Sequence, residues 1–314
     1  MKRITKIALW SGGTLLALWV VLGAVVAYLV VMPKSRSFDD IAEFEGRPVE
    51  AVTFEARDGI QVSGWYVPLE SKRAMVYAHG IGSDRRQHQS NMKFYLDRGF
   101  AALSIDLRGH GKSEPDTVTM GWFERNDVLG AVDFLKSKGY EDIGLNGISL
   151  GAATIIYAFQ DKPDVDFTIL ESPYETIDSA LDNRLRMVGA PVWIAYSFRK
   201  FSPLFIGVGP EELRPLDWMR EAHVPTLLLA GDNEAEIPVH ETEGLFAACA
   251  ASIKQMHLFP GATHKHRLVR HHPEEYTQVV DEFLGRVYPA PAAVESTGLA
   301  SARATGEAEH SAAL

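Results

Sequence analysis

Five consecutive residues, Gly147-Ile148-Ser149-Leu150-Gly151, restrict the fold of this chain more than any other segment. The Gly-x-Ser-x-Gly spacing is typical of a sharp turn that ends a strand, begins a helix at once and raises the serine oxygen above the sheet edge. The flanks agree, because Ile143 to Asn146 form a mostly apolar strand candidate and Leu150 to Phe159 resemble a buried helix. The glycines are needed since the serine backbone is strained and a bulky neighbour would collide with strand or helix. Gly and Ser are also common in ordinary loops, so the interpretation depends on the rest of the chain.

The pattern around this turn predicts an α/β fold over residues 49–288. Two alternating segments, Val49 to Ala56 and Ile60 to Val67, flank the turn signal Asp58-Gly59 and predict a hairpin. Short apolar strands then alternate with helical segments, which indicates a mostly parallel sheet with helices on both faces. Residues 172–222 interrupt this rhythm with an aromatic-rich stretch that we interpret as a small helical lid. In such sheets the chemistry lies at the carboxyl ends of the strands.

The first 34 residues differ in composition from the rest. Ile7 to Met32 contain no charged residue, and about 20 apolar residues suffice to cross a bilayer. We therefore predict an N-terminal transmembrane helix within an anchor of residues 1–34, followed by a linker over 35–48. Lys2, Arg3 and Lys6 favour a single-pass membrane protein with a cytoplasmic N-terminus and the catalytic domain on the outer side. A cleaved signal peptide is the alternative, but the apolar block is long and does not end in small residues.

Composition excludes several classes of protein. The formal net charge of -10, without a long basic stretch, argues against nucleic acid as a partner. Cys249 is the only cysteine, so the chain has no intramolecular disulfide and no cysteine-based metal site. Residues 289–314 turn to Ala, Ser, Glu, Thr and Pro without a period, which predicts a disordered tail.

A serine hydroxyl is a poor nucleophile near neutral pH unless a histidine accepts its proton and an acid orients that histidine. Behind a Gly-x-Ser-x-Gly turn, the acid is expected before the histidine in the chain. Two segments that follow predicted strands supply both residue types: the first contains Asp232 and Glu234, and the second contains His264. These residues are the candidates for a catalytic triad with Ser149.

Several ordered motifs together resemble the alpha/beta-hydrolase superfamily, near its serine aminopeptidase-like and esterase branches. His79-Gly80 is similar to the oxyanion loop of that family, and Asp106 to Ser113 is similar to its Asp-x-Arg-Gly-x-Gly-x-Ser turn. The resemblance implies His264 as the base, and the nearby His266, His271 and His272 are the alternatives. It also implies an acid three residues after a glycine, a position that Glu234 fills as glutamate where the family usually has aspartate. Asp232 remains the alternative acid.

The same resemblance implies an oxyanion hole formed by the backbone amides of Ile81 and Leu150, with His79 bracing the loop. Leu150 also begins a helix, whose dipole adds positive potential there. No cofactor is implied. His266, His271 and His272 lie near His264, but no carboxylate or cysteine accompanies them at ligand spacing, so no metal site is predicted.

The expected activity is that of a serine hydrolase of the carboxylesterase or lipase type, cleaving an ester, thioester or amide through an acyl-enzyme. The aromatic lid and the anchor favour a small acyl substrate that is apolar or amphipathic. An aminopeptidase-like peptidase is the nearest alternative, and it requires an acid such as Glu171, Glu175 or Asp178 to hold a free amino terminus. A non-catalytic hydrolase-like binding module is the alternative from another class.

Overall fold

An eight-stranded sheet organises the chain, whose computed structural model describes residues 2–289. All of the tail predicted for 289–314, apart from its first position, lies outside the described residues. The strands of the sheet, in chain order, are β1 (Glu50–Glu55), β2 (Gln61–Val67), β3 (Arg73–Ala78), β4 (Ala101–Ile105), β5 (Asp142–Ile148), β6 (Phe167–Glu171), β7 (Thr226–Gly231) and β8 (Lys254–Phe259).

The order of the strands across the sheet is β8-β7-β6-β5-β3-β4-β2-β1. The first two strands form the predicted hairpin, and β2 also pairs antiparallel with β4. The remaining pairs are parallel, from β4 to β8 at the far edge. The predicted α/β class with a mostly parallel sheet is therefore confirmed. The strands β3, β5, β6, β7 and β8 all end at one edge, where the candidate residues gather.

Helices cover both faces of the sheet. The helices are α1 (Lys2–Val31), α2 (Gln89–Leu96), α3 (Arg125–Ser137), α4 (Leu150–Ala158), α5 (Ile177–Met187), α6 (Ala195–Phe201), α7 (Pro203–Ile206), α8 (Pro215–Trp218), α9 (Val239–Ala248), α10 (Leu268–His271) and α11 (Pro273–Val287). Successive β3 residues alternate between two cores: Val76 packs with α3 and α4, and Met75 and Tyr77 pack with α2 and α11. This alternation is the period-2 pattern of a strand buried on both faces.

The segment predicted as a lid contains four helices, α5 to α8, between β6 and β7. A capping box starts α5: the Thr176 hydroxyl accepts from the Ser179 N–H, and the Ser179 hydroxyl accepts from the Thr176 N–H. Such a cap satisfies two backbone donors that the first helical turn leaves free. The lid segment therefore has a defined helical start directly beside the strand edge.

The N-terminal helix α1 packs on this lid segment. The ring of Trp19 lies 5.8 Å from the ring of Tyr196, centroid to centroid, and Tyr28 lies 5.8 Å from Phe205. Near its end, Val31 is buried in the core that contains α3 and α4. The transmembrane anchor predicted for residues 1–34 corresponds to this helix. Among the residues that the structure describes, however, no helix is long and apolar enough to cross a membrane.

The predicted linker is docked to the domain at two places, and it also forms a short hairpin of its own. Lys34–Ser35 pairs in parallel with His110–Gly111, and Glu43–Phe44 pairs with Arg47–Pro48. The Trp65 indole N–H also donates to Asp40 at 2.9 Å. These contacts fix the direction in which α1 leaves the domain.

Candidate active site

Ser149 stands at the turn between β5 and α4, with φ 54° and ψ −112°. A positive φ is costly for a residue with a side chain, and the surroundings must hold it in place. A Cβ on Gly151 would lie 1.9 Å from the Ala78 carbonyl oxygen, and one on Gly147 would lie 2.5 Å from the Gly151 backbone. The two glycines are therefore required by close backbone approach, as the sequence pattern predicts.

His264 follows β8 and faces the serine. Its Nε2 atom lies 3.0 Å from the Ser149 Oγ, and its Nδ1 atom lies 2.9 Å from the Glu234 Oε2. Because a carboxylate only accepts, Nδ1 carries the proton and Nε2 is left to accept the serine hydroxyl. This tautomer is the one that a general base for Ser149 requires. The structure thus brings together three residues that are distant in the chain.

Glu234 occupies the third position, and Asp232 does not. The Glu234 carboxylate also accepts from the Ser172 hydroxyl at 2.6 Å and from the Gly231 N–H at 2.8 Å, with its side chain 1% exposed. Asp232 is exposed and accepts from the Gly261 N–H at 2.7 Å, so it braces the turn after β8. No sequence motif predicted the role of Ser172, and its position directly after β6 was the only signal that it would reach this site.

Two residues beside Ser149 have backbone N–H groups without a protein acceptor in the part of the chain that the structure describes. Ile81 and Leu150 line the same cavity as Ser149. The N–H of Leu150 belongs to the first turn of α4 and has no acceptor within that helix. The N–H of Ile81 has no hydrogen-bond acceptor within residues 2–289. Both N–H groups are thus free to donate, as the donors of an oxyanion hole must be.

Two buried histidines hold the loop that carries Ile81. His79 donates from Nδ1 to the Gly80 carbonyl at 2.8 Å and accepts at Nε2 from the Leu107 N–H at 3.1 Å. His110 accepts from the Gly82 N–H at 3.1 Å. Burial lowers the pKa of His79, and it lowers the pKa of His110 to about 3. Both rings are neutral near pH 7 and act as fixed braces for the loop.

The Asp106 carboxylate is bound on several sides within the fold. Arg85 donates to it from its backbone N–H at 2.6 Å and from its guanidinium at 2.7 Å, and the Lys112 N–H donates at 2.8 Å. Asp106 and Arg85 are both fully buried. The family-like Asp-x-Arg-Gly turn is therefore a structural support beneath the site.

The remaining candidate residues lie away from the serine. His266 and His271 stack on each other at 4.6 Å between ring centroids, and within residues 2–289 no group of His, Cys, Asp or Glu side chains is arranged to hold a metal ion. Glu171 is buried and accepts from the Asn91 amide at 2.7 Å, and Asp178 accepts from Arg199 at 2.5 Å. Neither acid lines the cavity at Ser149.

The cavity at Ser149 has a volume of about 80 Å³, several times the roughly 10–15 Å³ that one water molecule needs. Its lining residues are Val30, Ile81, Met120, Ser149, Leu150, Tyr174, Ile177, Ala180, Leu181 and Arg184. The last four are spaced i, i+3, i+4 and i+7, so one face of α5 forms a wall. Two of the lining residues, Val30 from α1 and Arg184 from α5, were not predicted from the sequence.

The chain is similar to several known proteins. The family model described as "Serine aminopeptidase, S33" matches residues 70–210. YqkD of Bacillus subtilis is 27% identical over 306 residues, covering 90% of this chain and 97% of that protein. An esterase from Pyrococcus furiosus has a similar structure, with a TM-score of 0.70 and 24% identity over 82% of this chain and 98% of that one. An esterase from Thermogutta terrifontis has a TM-score of 0.55 and 21% identity over 76% and 99% of the two chains.

Proposed function

We propose that the chain is a member of the alpha/beta-hydrolase superfamily and a serine hydrolase that cleaves a carboxylic ester through an acyl-enzyme on Ser149. The observation that carries the proposal is the continuous hydrogen-bonded series from Ser149 through His264 to Glu234 at the carboxyl edge of the sheet. Fold alone would not support an activity, since related folds serve many functions.

In the acylation step the Ser149 Oγ attacks the ester carbonyl carbon while its proton passes to the Nε2 of His264. The carbonyl oxygen takes up the negative charge, and the amides of Ile81 and Leu150 donate to it. The buried Glu234 carboxylate stabilises the imidazolium that forms, because its charge is little screened by water. His264 then returns the proton to the departing alcohol oxygen as the carbon–oxygen bond breaks.

Deacylation repeats the steps of acylation with water as the nucleophile. His264 takes a proton from the water, the hydroxide adds to the acyl carbon, and the Ser149 oxygen leaves with that proton. The products are a carboxylic acid and the free serine. A thioester or an amide follows the same steps with a different leaving group, and the same residues serve each reaction.

The cavity supports a small acyl substrate, apolar or amphipathic. Apart from Arg184, its lining side chains are apolar or hydroxyl-bearing, with Met120, Ile177 and Leu181 among them. Such walls exclude water from the acyl group and strengthen the interactions at the reacting carbonyl. The similarity to esterases of known structure is consistent with this substrate class.

The match to the family model favours an aminopeptidase-like activity. The cavity, however, carries the positive charge of Arg184, whereas binding a free amino terminus requires a negative charge. Among the described residues that line the cavity there is no carboxylate to bind a free amino terminus. Glu171 is held in its buried network, and Asp178 is paired with Arg199. A non-catalytic binding module is disfavoured by the completeness of the hydrogen-bonded series.

We also propose that the N-terminal segment attaches the protein to a membrane, with the N-terminus in the cytoplasm and the catalytic domain on the outer side. The support is the sequence alone: Ile7 to Met32 contain no charged residue, and basic residues precede them. Alkaline carbonate extraction of membranes from expressing cells tests the attachment. Protease protection of spheroplasts tests the orientation, and release of the protein by carbonate would contradict the proposal.

Labelling by a fluorophosphonate, which reacts with activated serines, tests the catalytic proposal. We expect stoichiometric labelling of the full-length protein in detergent at Ser149, none in Ser149→Ala and strongly reduced labelling in His264→Ala. Hydrolysis of 4-nitrophenyl butyrate should be lost in the same variants. A folded wild-type protein that neither labels nor hydrolyses any ester in a short-chain series would refute the serine hydrolase and favour the binding module.

A further inference from the structure

One charged side chain, Arg184, lines the cavity that contains Ser149. It occupies the last position of the α5 face that also carries Ile177, Ala180 and Leu181. One of its guanidinium N–H groups donates to the Ala180 carbonyl oxygen at 2.9 Å, in the preceding helical turn. This bond is local to α5, and the other N–H groups of Arg184 have no acceptor within the part of the chain that the structure describes.

Arg184 also differs from a neighbouring lid arginine in having no ion pair. Arg199 binds Asp178 at 2.5 Å and Asp182 at 2.8 Å. Within residues 2–289, no carboxylate oxygen lies within 4.0 Å of the Arg184 guanidinium. The nearby Glu241 is engaged elsewhere, since it accepts from the Ser179 hydroxyl and from the Asn183 amide.

A guanidinium without a direct ion pair in this position has a cost that the fold offsets only in part, through the more distant carboxylates of Glu236 and Glu241. Arg184 is half-buried, and burial lowers the pKa of its guanidinium, although arginine keeps its charge at any physiological pH. Charges removed from water are normally paired. A cation that lines the cavity of Ser149 without a direct ion pair can bind an anion that arrives with the substrate.

We propose that Arg184 is a specificity-determining residue that binds an anionic group, a carboxylate or a phosphate, carried by the ester substrate. The substrate class is thus an amphipathic ester with an apolar portion against Met120 and Leu181 and an anionic end at Arg184. Arginine suits this role because its planar fork of donors matches both anions with two parallel hydrogen bonds. This inference rests on the proposed function, and the experiment below separates the two.

The test compares matched esters with and without a negative charge. On the acyl side, mono-4-nitrophenyl glutarate is paired with 4-nitrophenyl pentanoate. On the alcohol side, 4-butyryloxybenzoate is paired with its methyl ester. We expect the wild-type protein to favour the charged member of at least one pair in kcat/KM, and Arg184→Gln to lower that preference by about 10- to 100-fold, the range for a hydrogen bond to a charged group. If the preference for the charged ester falls in only one pair, that pair identifies the half of the ester, acyl or alcohol, that Arg184 contacts.

Arg186→Gln is the matched control, because Arg186 lies on the same helix but is exposed. It removes the same charge and should leave the preference unchanged. Equal loss in both variants would show a long-range effect of net charge and overturn the inference. An Arg184→Gln protein that labels with fluorophosphonate at the wild-type rate and keeps the full preference would also overturn it, with the serine hydrolase intact. A wild-type protein that neither labels nor hydrolyses the uncharged esters would instead refute the proposed function.

Discussion

Replacing Glu234 by glutamine removes one negative charge from the proposed relay while keeping the shape of the side chain. Its Oε2 lies 2.9 Å from the Nδ1 of His264, and the side chain is 1% exposed. The glutamine oxygen can still accept from Ser172 and from the Gly231 N–H, so the local fold should persist. The amide nitrogen, however, donates to Nδ1 and puts the imidazole proton on Nε2, where it cannot accept the serine proton.

The expected loss in rate follows from two independent estimates. At an effective dielectric constant of about 20, two unit charges about 4 Å apart interact with about 4 kcal/mol, which corresponds to a factor of about 10³ in rate. Loss of the acid in a triad with its geometry intact lowers kcat by about 10⁴, chiefly through the wrong tautomer. We therefore expect Glu234→Gln to lower kcat for 4-nitrophenyl butyrate by about 10³ to 10⁴.

The assay is the rate of ester hydrolysis together with the rate constant of fluorophosphonate labelling, both measured after thermal melting has shown that the variant is folded. Asp232→Asn is the control, because an asparagine oxygen can still accept from the Gly261 N–H. We expect this exposed substitution to change kcat by no more than about twofold. If Glu234→Gln retained activity within tenfold of the wild type, or Asp232→Asn showed the larger loss, the assignment of the acid would be wrong.

Three further predictions follow from particular contacts. A Val30→Ala variant should have a kcat/KM about 5- to 10-fold lower for short-chain 4-nitrophenyl esters, because it removes part of the cavity wall; unchanged kinetics would show that α1 does not contact the substrate. Gly151→Ala should yield insoluble or inactive protein, since the added Cβ meets a carbonyl oxygen at 1.9 Å, whereas Gly285→Ala, with open space around it, should fold normally when both are compared by solubility and melting. His88, like His110, is fully buried, and burial lowers the pKa of each ring to about 3. Between pH 6.5 and 3, each of these histidines therefore binds fewer protons in the folded chain than in the unfolded chain. The free energy of unfolding should fall with decreasing pH over that range by about 1.4 kcal/mol per pH unit for each histidine. Urea unfolding at several pH values checks this, and a slope that is not reduced in His110→Gln would contradict it.

Local sequence patterns were sufficient to predict the sheet and the residues at its edge. The glycines around Ser149 are required by the close backbone contacts at the turn, because a Cβ on Gly151 would lie 1.9 Å from a backbone oxygen. The spacing from Gly231 to Glu234 fixes which carboxylate turns back toward the sheet, because the Gly231 N–H bonds the same side chain. His264 follows from the end of the last strand in the same way.

The walls of the cavity were not predictable from these patterns. Val30 reaches the site only because α1 packs on α6 and α7, a contact between segments far apart in the chain. In the sequence, nothing distinguishes Arg184 from the other arginines of the lid. In the structure it has no direct ion pair within residues 2–289, because the nearby Asp178 and Asp182 bind Arg199. In the proposed function, tertiary packing of the lid therefore determines the specificity, whereas local spacing determines the catalytic residues.

The packing of α1 against the lid also bears on how the protein can be modified. With Val30 in the substrate cavity and Val31 in the core, the N-terminal helix is not an interchangeable module. Exchanging it for the leader of another protein, to redirect the enzyme to a different compartment, would alter substrate choice at the same time. If the N-terminal segment attaches the protein to a membrane, as we propose, one helix determines both the location and the substrate range of the protein, and a change in one of them brings a change in the other.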